Sequence, residues 1–220
     1  MSVGLTIFII METKKSRKQV NKEKVIKAAL KFFSDNGIEN SKVNDIAISA
    51  GVTERSAFRY FETKNDLVLA TALLFRNGAV KEINKLCDAE SFKNLSGIEQ
   101  VEIILNEYAN LFHTSKQELI FCAEAETYLN RCGKRILLEK RPPLKFEDSD
   151  DPLAKAIRKG VVDGTIKTSD YLEFIYLNTY DSMLGFIQKM ALNNDNISEN
   201  TAKIRIKLFI DSLLGIYKQQ

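Results

Sequence analysis

The fold is decided by one stretch in the first third of the chain, residues 41–66, which reads SKVNDIAISAGVTERSAFRYFETKND. Its first part predicts a short helix over residues 42–49, with Ser41 as the N-terminal cap. The apolar residues on the inner side of this helix are Val43, Ile46 and Ala47. The chain then turns at residues 50–52, where Gly51 allows a tight bend without the clash of a β-carbon.

The residues after this turn predict a second short helix and the start of a long one. Thr53 can cap a helix over residues 54–60. Thr63, followed by Asp66 three positions later, has the spacing of a capping box, which marks the start of a fourth helix. Two short helices joined by a glycine turn form a helix-turn-helix, whose second helix enters the major groove of DNA while the first crosses the backbone.

Upstream of this motif the apolar residues recur at spacings of three and four. They are Val25, Ala28, Ala29, Phe32 and Phe33. This spacing predicts a helix over residues 21–36 that stops at Gly37. The chain therefore opens with three helices of the kind found in small DNA-binding domains.

The first of these helices is strongly basic. Between Lys14 and Lys31 the chain has eight basic residues and one acidic residue, Glu23. From Asn65 onward there are 20 basic and 22 acidic residues, so the surplus is confined to the N-terminal part. Such a surplus suits a phosphate-binding surface, although charge alone fits a solvated helix face or a disordered arm equally well.

The rest of the chain predicts long helices. Three prolines and ten glycines in 220 residues are too few for a turn-rich sandwich or barrel, so an all-α fold is favoured over an α/β fold. The predicted helices cover residues 67–86, 97–114, 117–131, 152–163, 171–192 and 199–218. One irregular stretch, from Arg141 to Asp151, begins with two prolines and then becomes acidic. We expect it to form an exposed loop.

Several classes of protein are disfavoured by composition. Cys87, Cys122 and Cys132 are odd in number and far apart, which encodes neither a disulfide framework nor a zinc site. No metal or cofactor is expected, and the reducing cytoplasm is the expected compartment. The apolar segment from Met1 to Ile10 lacks a basic start and a cleavage site, and it is shorter than the roughly 20 residues of a membrane span. We read it as an upstream extension, with Met11 as an alternative start of translation.

One group of residues resembles the DNA-binding domain of TetR-type repressors, over about Val25 to Ala70. The matching residues are Ala28-Ala29-Leu30 through Phe33, Gly37, Val43-Asn44-Asp45-Ile46-Ala47, Ala50-Gly51-Val52-Thr53 and Phe58-Arg59-Tyr60-Phe61-Glu62-Thr63-Lys64. Phe58 departs from the tyrosine common in the family, and Glu62 replaces a frequent proline. The resemblance implies three domains: an N-terminal extension or basic arm at 1–19, the helix-turn-helix domain at 20–66, and a helical effector-binding and dimerisation domain at 67–220.

Chemistry assigns roles within this motif. Arg55 has the forked donors that bind guanine, and Glu54 can accept from cytosine, although an exposed, solvated pair is the alternative. Phosphate contacts are expected from hydroxyl and ammonium groups and from the start of the preceding helix. The full set of candidate DNA-binding residues is Ser41, Lys42, Thr53, Glu54, Arg55, Ser56, Phe58, Arg59, Tyr60 and Lys64. Phe58 can touch a thymine methyl or simply pack, whereas Phe61 is expected in the core.

The resemblance implies a small-molecule pocket in the second half and a homodimer formed by the last two long helices. The candidate lining residues are Tyr108, Phe112, His113, Phe121, Glu124, Tyr128, Tyr176 and Tyr180. Each aromatic residue fits the core as well, and His113 fits a helix end at the surface. The final helix, 199–218, has an apolar surface too wide for one core-facing stripe, which favours burial against both the core and a partner subunit.

The expected function is that of a ligand-responsive repressor. The apo dimer would occupy a palindromic operator, and an effector would move the two reading heads out of register, with helix 67–86 as the lever. Two other classes stay open: a helical enzyme and a partner-binding protein without DNA affinity. An activator also stays open. A single histidine, with no nucleophile elbow and no glycine-rich phosphate loop, argues against the enzyme.

Overall fold

The computed structural model describes residues 16–133, 146–193 and 197–219. In these residues all regular structure is helical, which confirms the all-α prediction. The α-helices are α1 Arg17–Asn36, α2 Val43–Ser49, α3 Glu54–Tyr60, α4 Lys64–Cys87, α5 Glu90–Lys93, α6 Gly97–Thr114, α7 Lys116–Arg131, α8 Pro152–Val162, α9 Leu172–Leu192 and α10 Glu199–Gln219. The predictions for residues 1–15, including the choice between Met1 and Met11, and for residues 134–145 lie outside the described residues.

Two helices begin earlier than their apolar pattern indicates, because side-chain caps lie upstream of it. Helix α1 begins at Arg17, and the Ser16 side chain accepts a hydrogen bond of 3.2 Å from the amide of Gln19. Helix α4 begins directly after Thr63. The Thr63 amide donates to the Asp66 carboxylate at 3.0 Å and the Asp66 amide donates to the Thr63 hydroxyl at 3.2 Å, which confirms the capping box.

The described helices bury two hydrophobic cores; α7 contributes Leu119 to the second one and most of its buried face to the one at the N-terminal end. That core contains residues of α1 to α4 together with Phe121, Ala125 and Leu129 of α7. The rings of Phe33 and Phe121 stack with centroids 5.5 Å apart. The second core is built by α6, α8, α9 and α10 with the lower part of α4. Helix α7 therefore packs against the helices of the N-terminal core, called the head below, as well as against the second core, although it lies about 50 residues beyond the head in the chain.

Helices α6 and α8 meet with their backbones almost in contact. A β-carbon on Gly97 would lie 2.0 Å from the backbone nitrogen of Gly160, so neither helix could approach as closely with a side chain there. The amide of Gly97 also donates to the Asp163 carboxylate at 2.7 Å. This contact anchors the start of α6, and with it the buried face of the helix that reaches the interior cavity.

The described part of the irregular stretch is only partly exposed: Glu147 and Asp150 are exposed, as expected, whereas the expectation was wrong for Phe146 and Ser149. The side chains of Phe146 and Ser149 are only 5% and 1% exposed. The Arg158 guanidinium explains this burial, because it donates to the carbonyl oxygens of Phe146 and, at 2.7 Å, Ser149. The Asp151 carboxylate then caps α8 by accepting from two backbone amides.

Candidate nucleic-acid interface and interior cavity

The turn between α2 and α3 has the geometry predicted for a helix-turn-helix. The amide of Val52 donates to the carbonyl of Ala47 at 3.0 Å, and the amide of Gly51 donates to that of Ile48 at 3.0 Å. Gly51 has a φ of +70°, and no atom lies within 4 Å of the position of an added β-carbon. Glycine is therefore favoured by its left-handed backbone conformation, in which a β-carbon would clash with the adjacent backbone, as predicted for this turn.

Helix α3 presents one face outward. Ala57 is 1% exposed and fixes the inner face, whereas Glu54, Arg55 and Arg59 are exposed and Phe58 is 41% exposed. The Thr53 side chain caps the helix: it accepts from the amide of Ser56 at 3.2 Å and donates to the Ser56 hydroxyl at 3.0 Å. The outward face thus combines the forked donors of arginine, a carboxylate and an apolar ring, the groups that read base edges.

Cations of α1 lie beside the end of α3. The Lys22 ammonium is 5.4 Å from the centre of the Phe61 ring, and the Arg59 guanidinium is 5.6 Å from the centre of the Tyr60 ring. A hydrogen bond from Arg59 lowers the pKa of the Tyr60 phenol, with smaller contributions from Asn21 and Lys18 of α1. Phe61 is 5% exposed, as expected for a core residue. The basic helix therefore extends the positive surface around α3.

Two further phosphate candidates, Lys42 and Lys64, lie near the turn between α1 and α2, and a third, Ser41, does not face solvent. Lys42 is exposed at the N-terminus of α2, and the Lys64 ammonium donates to the carbonyl of Glu39 at 3.4 Å. Ser41 is 2% exposed, and its hydroxyl donates to carbonyl oxygens of the α1 end, at 2.7 Å for Gly37. Ser41 neither caps α2 nor faces a phosphate; it holds the turn between α1 and α2.

Three of the predicted pocket residues join α7 to the DNA-binding head. Phe121 packs in the head core, and Glu124 accepts a hydrogen bond of 2.8 Å from the backbone amide of Ile38. The Tyr128 hydroxyl donates to the Asn65 side chain at 2.9 Å. None of these three side chains lines the interior cavity described next, so their assignment to a ligand pocket stays a prediction. Contacts across 86 and 63 residues leave no local signal in the sequence.

An enclosed cavity of about 40 Å³ lies between α4, α6, α7 and α9. Its apolar wall includes Phe75, Ala79 and Leu111, and its polar lining is formed by Arg76, Tyr108, Glu126, Tyr180 and Gln188. Tyr108 and Tyr180 were predicted from the sequence. The other three were missed, although charged or amide side chains on otherwise apolar helix faces were the available signal.

The other predicted pocket residues lie elsewhere. Phe112 is a buried core residue, and His113 is exposed in the last turn of α6, with its ring centre 5.0 Å from that of Phe112. Tyr176 is buried against Phe146, with ring centres 5.7 Å apart. None of the three lines the interior cavity. Helical spacing identified them as inward-facing or terminal but could not identify the space they face.

The polar groups of the cavity are poorly compensated. The Tyr108 hydroxyl and the Gln188 amide nitrogen are buried without a hydrogen-bond partner. The Arg76 guanidinium lies 5.4 Å from the centre of the Tyr180 ring. Burial raises the pKa of the Glu126 carboxyl, and it raises the pKa of the nearby Cys122 thiol to about 12. Unpartnered buried polar atoms cost free energy, so this lining is better suited to a cavity that is at times filled by a polar group.

Helices α9 and α10 expose an apolar surface on the side away from the core. Ile206, Ile210 and Tyr217 of α10 are buried, while Ile204 and Leu208 are 51% and 64% exposed. On this outer side the Phe186 and Phe209 rings stack with centres 4.1 Å apart. Phe174 and Ile216 extend the exposed apolar set. The final helix is thus apolar on two sides, as its sequence indicated.

A helix-turn-helix with an outward, basic reading helix, carried by a larger helical body, defines a DNA-binding transcriptional regulator. Residues 25–71 match the family model described as bacterial regulatory proteins, tetR family. The resemblance to TetR-type repressors is confirmed for these residues, which form a DNA-binding domain of the tetR-family type.

Solved structures of this family share the fold over nearly the whole chain. The fatty acid degradation regulator FadR from Bacillus halodurans is 17% identical with a TM-score of 0.67, covering 91% of this chain and 96% of its own. A TetR-family regulator from Mesorhizobium loti is 13% identical with a TM-score of 0.65, covering 92% and 99%. The FadR repressor from Thermus thermophilus is 17% identical with a TM-score of 0.58, covering 90% and 93%.

The comparison with curated protein sequences adds no relative. No curated protein sequence matches the chain. In the residues that the structure describes, no helix combines the length and apolar character needed to cross a membrane, and no cluster of metal-ligating side chains occurs.

Proposed function

We propose that the chain is a ligand-responsive repressor that binds a palindromic operator as a homodimer and is released by a small-molecule effector. The observation that carries this proposal is the outward face of α3, where Glu54 and Arg55 are exposed beside the cations of α1. We divide the chain into an N-terminal extension at 1–19, a DNA-binding domain at 20–66 and an effector and dimerisation domain at 67–220. As a bacterial DNA-binding regulator it would act in the cytoplasm.

Arg55 and Glu54 are the proposed base-reading residues. Arginine donates two parallel hydrogen bonds to guanine, and glutamate accepts from cytosine. Phe58, at 41% exposure, is free to contact a thymine methyl group. The proposed phosphate contacts, which position the helix without reading sequence, are Lys42, Thr53, Ser56, Arg59, Tyr60 and Lys64.

A homodimer through α9 and α10 is supported by the exposed apolar set around Leu208. Exposed large apolar side chains four residues apart on one helix, Ile204 and Leu208, suit a helix-to-helix interface better than contact with water. A two-fold dimer also presents two copies of α3 to two half-sites, and this matches a palindromic operator.

Two helices connect the interior cavity to the head, and this supports release by an effector. Helix α4 contributes Arg76 to the cavity and Leu67 to the head core. Helix α7 contributes Glu126 to the cavity and Phe121 to the head core. A ligand that fits the cavity only when these helices move binds the non-operator conformation more tightly, which is the thermodynamic requirement for release.

Two of the similar structures were solved with a bound ligand, which supports the proposal of an effector-controlled regulator. The Thermus thermophilus FadR repressor was solved with lauroyl-CoA, and RolR, 16% identical with a TM-score of 0.57, was solved with resorcinol. Such different ligands in one fold indicate that each chain's own cavity decides the effector.

The test is fluorescence-anisotropy titration of the chain with DNA from its own upstream region and with a scrambled duplex, each at two salt concentrations. We expect sequence-selective binding that weakens with salt. Arg55→Ala should cost about 1–3 kcal/mol and relax the preference at one base position. Arg131→Ala, which removes an exposed arginine of α7, is the matched control and should leave the affinity unchanged.

If both duplexes bind alike, selection from random-sequence DNA decides the matter. An enriched palindrome would place the operator elsewhere in the genome. Selection without any enriched site would refute the DNA-binding proposal and leave a partner-binding helical protein.

A further inference from the structure

We propose that the interior cavity takes a small apolar molecule that carries a carboxylate, with the carboxylate held by Arg76, Tyr108 and Gln188. This inference rests on the proposed function in one respect, namely that the cavity is the effector site. It adds the chemical class of the effector.

The polar lining of the cavity is rich in hydrogen-bond donors. The Tyr108 hydroxyl and the Gln188 amide nitrogen line the cavity, and neither has a partner, although the two side chains are only 5% and 7% exposed. Arg76 adds a guanidinium, which carries donors only. A group that satisfies all three must be an acceptor with several lone pairs. A carboxylate meets this requirement and also supplies the charge opposite to that of Arg76.

The carboxylate of Glu126 lines the same cavity, and it is the residue that could instead bind a cationic ligand. Burial raises the pKa of Glu126, while the nearby Gln188 amide and the Arg76 guanidinium act to lower it, so this acid already lies beside positive and donor groups. The guanidinium of Arg76 offsets the charge of Glu126 and would repel an ammonium group. With these two charges opposed, the donors of Tyr108 and Gln188 favour the anion.

The apolar part of the ligand is assigned to the space next to the cavity. At about 40 Å³ the cavity has room for a small polar group such as a carboxylate. An open groove of about 560 Å³ between α1, α4 and α6 shares Phe75, Ala79 and Leu111 with the cavity wall. Displacement of the half-buried Phe75 side chain joins the two spaces, so that the polar group lies inside and the tail lies in the groove.

The experiment compares three unbranched probes of six carbons each: hexanoate, hexanamide and hexylammonium. Each is titrated calorimetrically into the full chain without DNA. We expect hexanoate to bind at least about tenfold more tightly than hexanamide, the size of one charge-assisted hydrogen bond, and hexylammonium to bind more weakly than both. Arg76→Gln should abolish the preference for hexanoate, while Arg131→Gln, the matched control on the surface, should retain it.

A second variant, Tyr108→Phe, keeps the proposal testable if the Arg76→Gln protein does not fold. Tyr108→Phe removes one oxygen that has no partner in the structure, so the fold loses no hydrogen bond. It should weaken hexanoate and hexanamide binding several-fold each. The proposal is overturned by equal or tighter binding of hexylammonium, by equal binding of hexanamide, or by no hexanoate binding at about 10 mM.

The ligand titrations test the chemical class of the ligand, and the DNA experiment tests the repressor function, so one claim can be refuted while the other stands. A chain that selects a DNA site but binds no hexanoate contradicts only the ligand class. A chain that binds hexanoate through Arg76 but selects no DNA site contradicts only the proposed repressor function.

Discussion

The hydrogen bond between Glu124 and the head can be tested by Glu124→Ala. The carboxylate accepts from the amide of Ile38 at 2.8 Å, and Ile38 is fully buried, so removal of the carboxylate leaves this amide without its protein acceptor. Leaving a buried amide unpaired costs about 1–3 kcal/mol, and a charged acceptor places this bond at the upper end. For a chain of this size we expect the thermal midpoint to fall by roughly 6–12 °C, at about 3 kcal/mol and about 2–4 °C per kcal/mol.

The same substitution should weaken operator binding, because the bond fixes the turn between α1 and α2 relative to α7. Glu124→Gln keeps an uncharged acceptor and should lose less than half as much of the free energy of unfolding. Glu102→Ala, on an exposed position of α6, is the matched control and should stay within about 0.5 kcal/mol of the parent. Circular dichroism melting and anisotropy titration measure the two effects. A Glu124→Ala protein that melts at the parent temperature would refute the reasoning.

Three further predictions concern packing, assembly and pH. Gly97→Ala places a carbon 2.0 Å from the backbone of Gly160, so a loss of more than about 3 kcal/mol is expected in urea unfolding, and unchanged stability would contradict the contact. Leu208→Glu puts a charge on the exposed apolar surface of α10 and should convert the dimer to a monomer in light scattering, whereas a dimer that persists would contradict the proposed interface. The pKa of Glu126 is raised by burial against the opposing effect of Arg76, so its ionisation destabilises the fold; Glu126→Gln should raise the melting temperature at about pH 8, with a gain that shrinks toward about pH 5.

The DNA-binding head could be predicted from sequence because its signals are local. The Thr63 and Asp66 capping box, the Thr53 cap and the left-handed Gly51 act within three or four residues of themselves. Ser41 shows the limit of such reasoning, because a serine at that position suits a cap equally well. Only the packing of the α1 end against it turns its hydroxyl toward the Gly37 carbonyl.

The interior cavity was predictable only in part. The pattern of α6 and α9 identified Tyr108 and Tyr180 as inward-facing polar aromatics, and both line the cavity. The same pattern on α7 selected Glu124 and Tyr128, which face the head instead. Helical periodicity reports that a side chain is on the inner face, but α7 has neighbours on two sides, and its own residues cannot tell one from the other.

The sequence by itself determined the all-α class, the helix-turn-helix and the family of the head, since each depends on contacts between residues close in the chain. Only the tertiary structure decided that α7 packs with the head and that Arg76, Glu126 and Gln188 share a cavity. Those arrangements depend on which helices pack together. Side chains far apart in the chain meet only after the cores have formed, so no local pattern can encode the meeting.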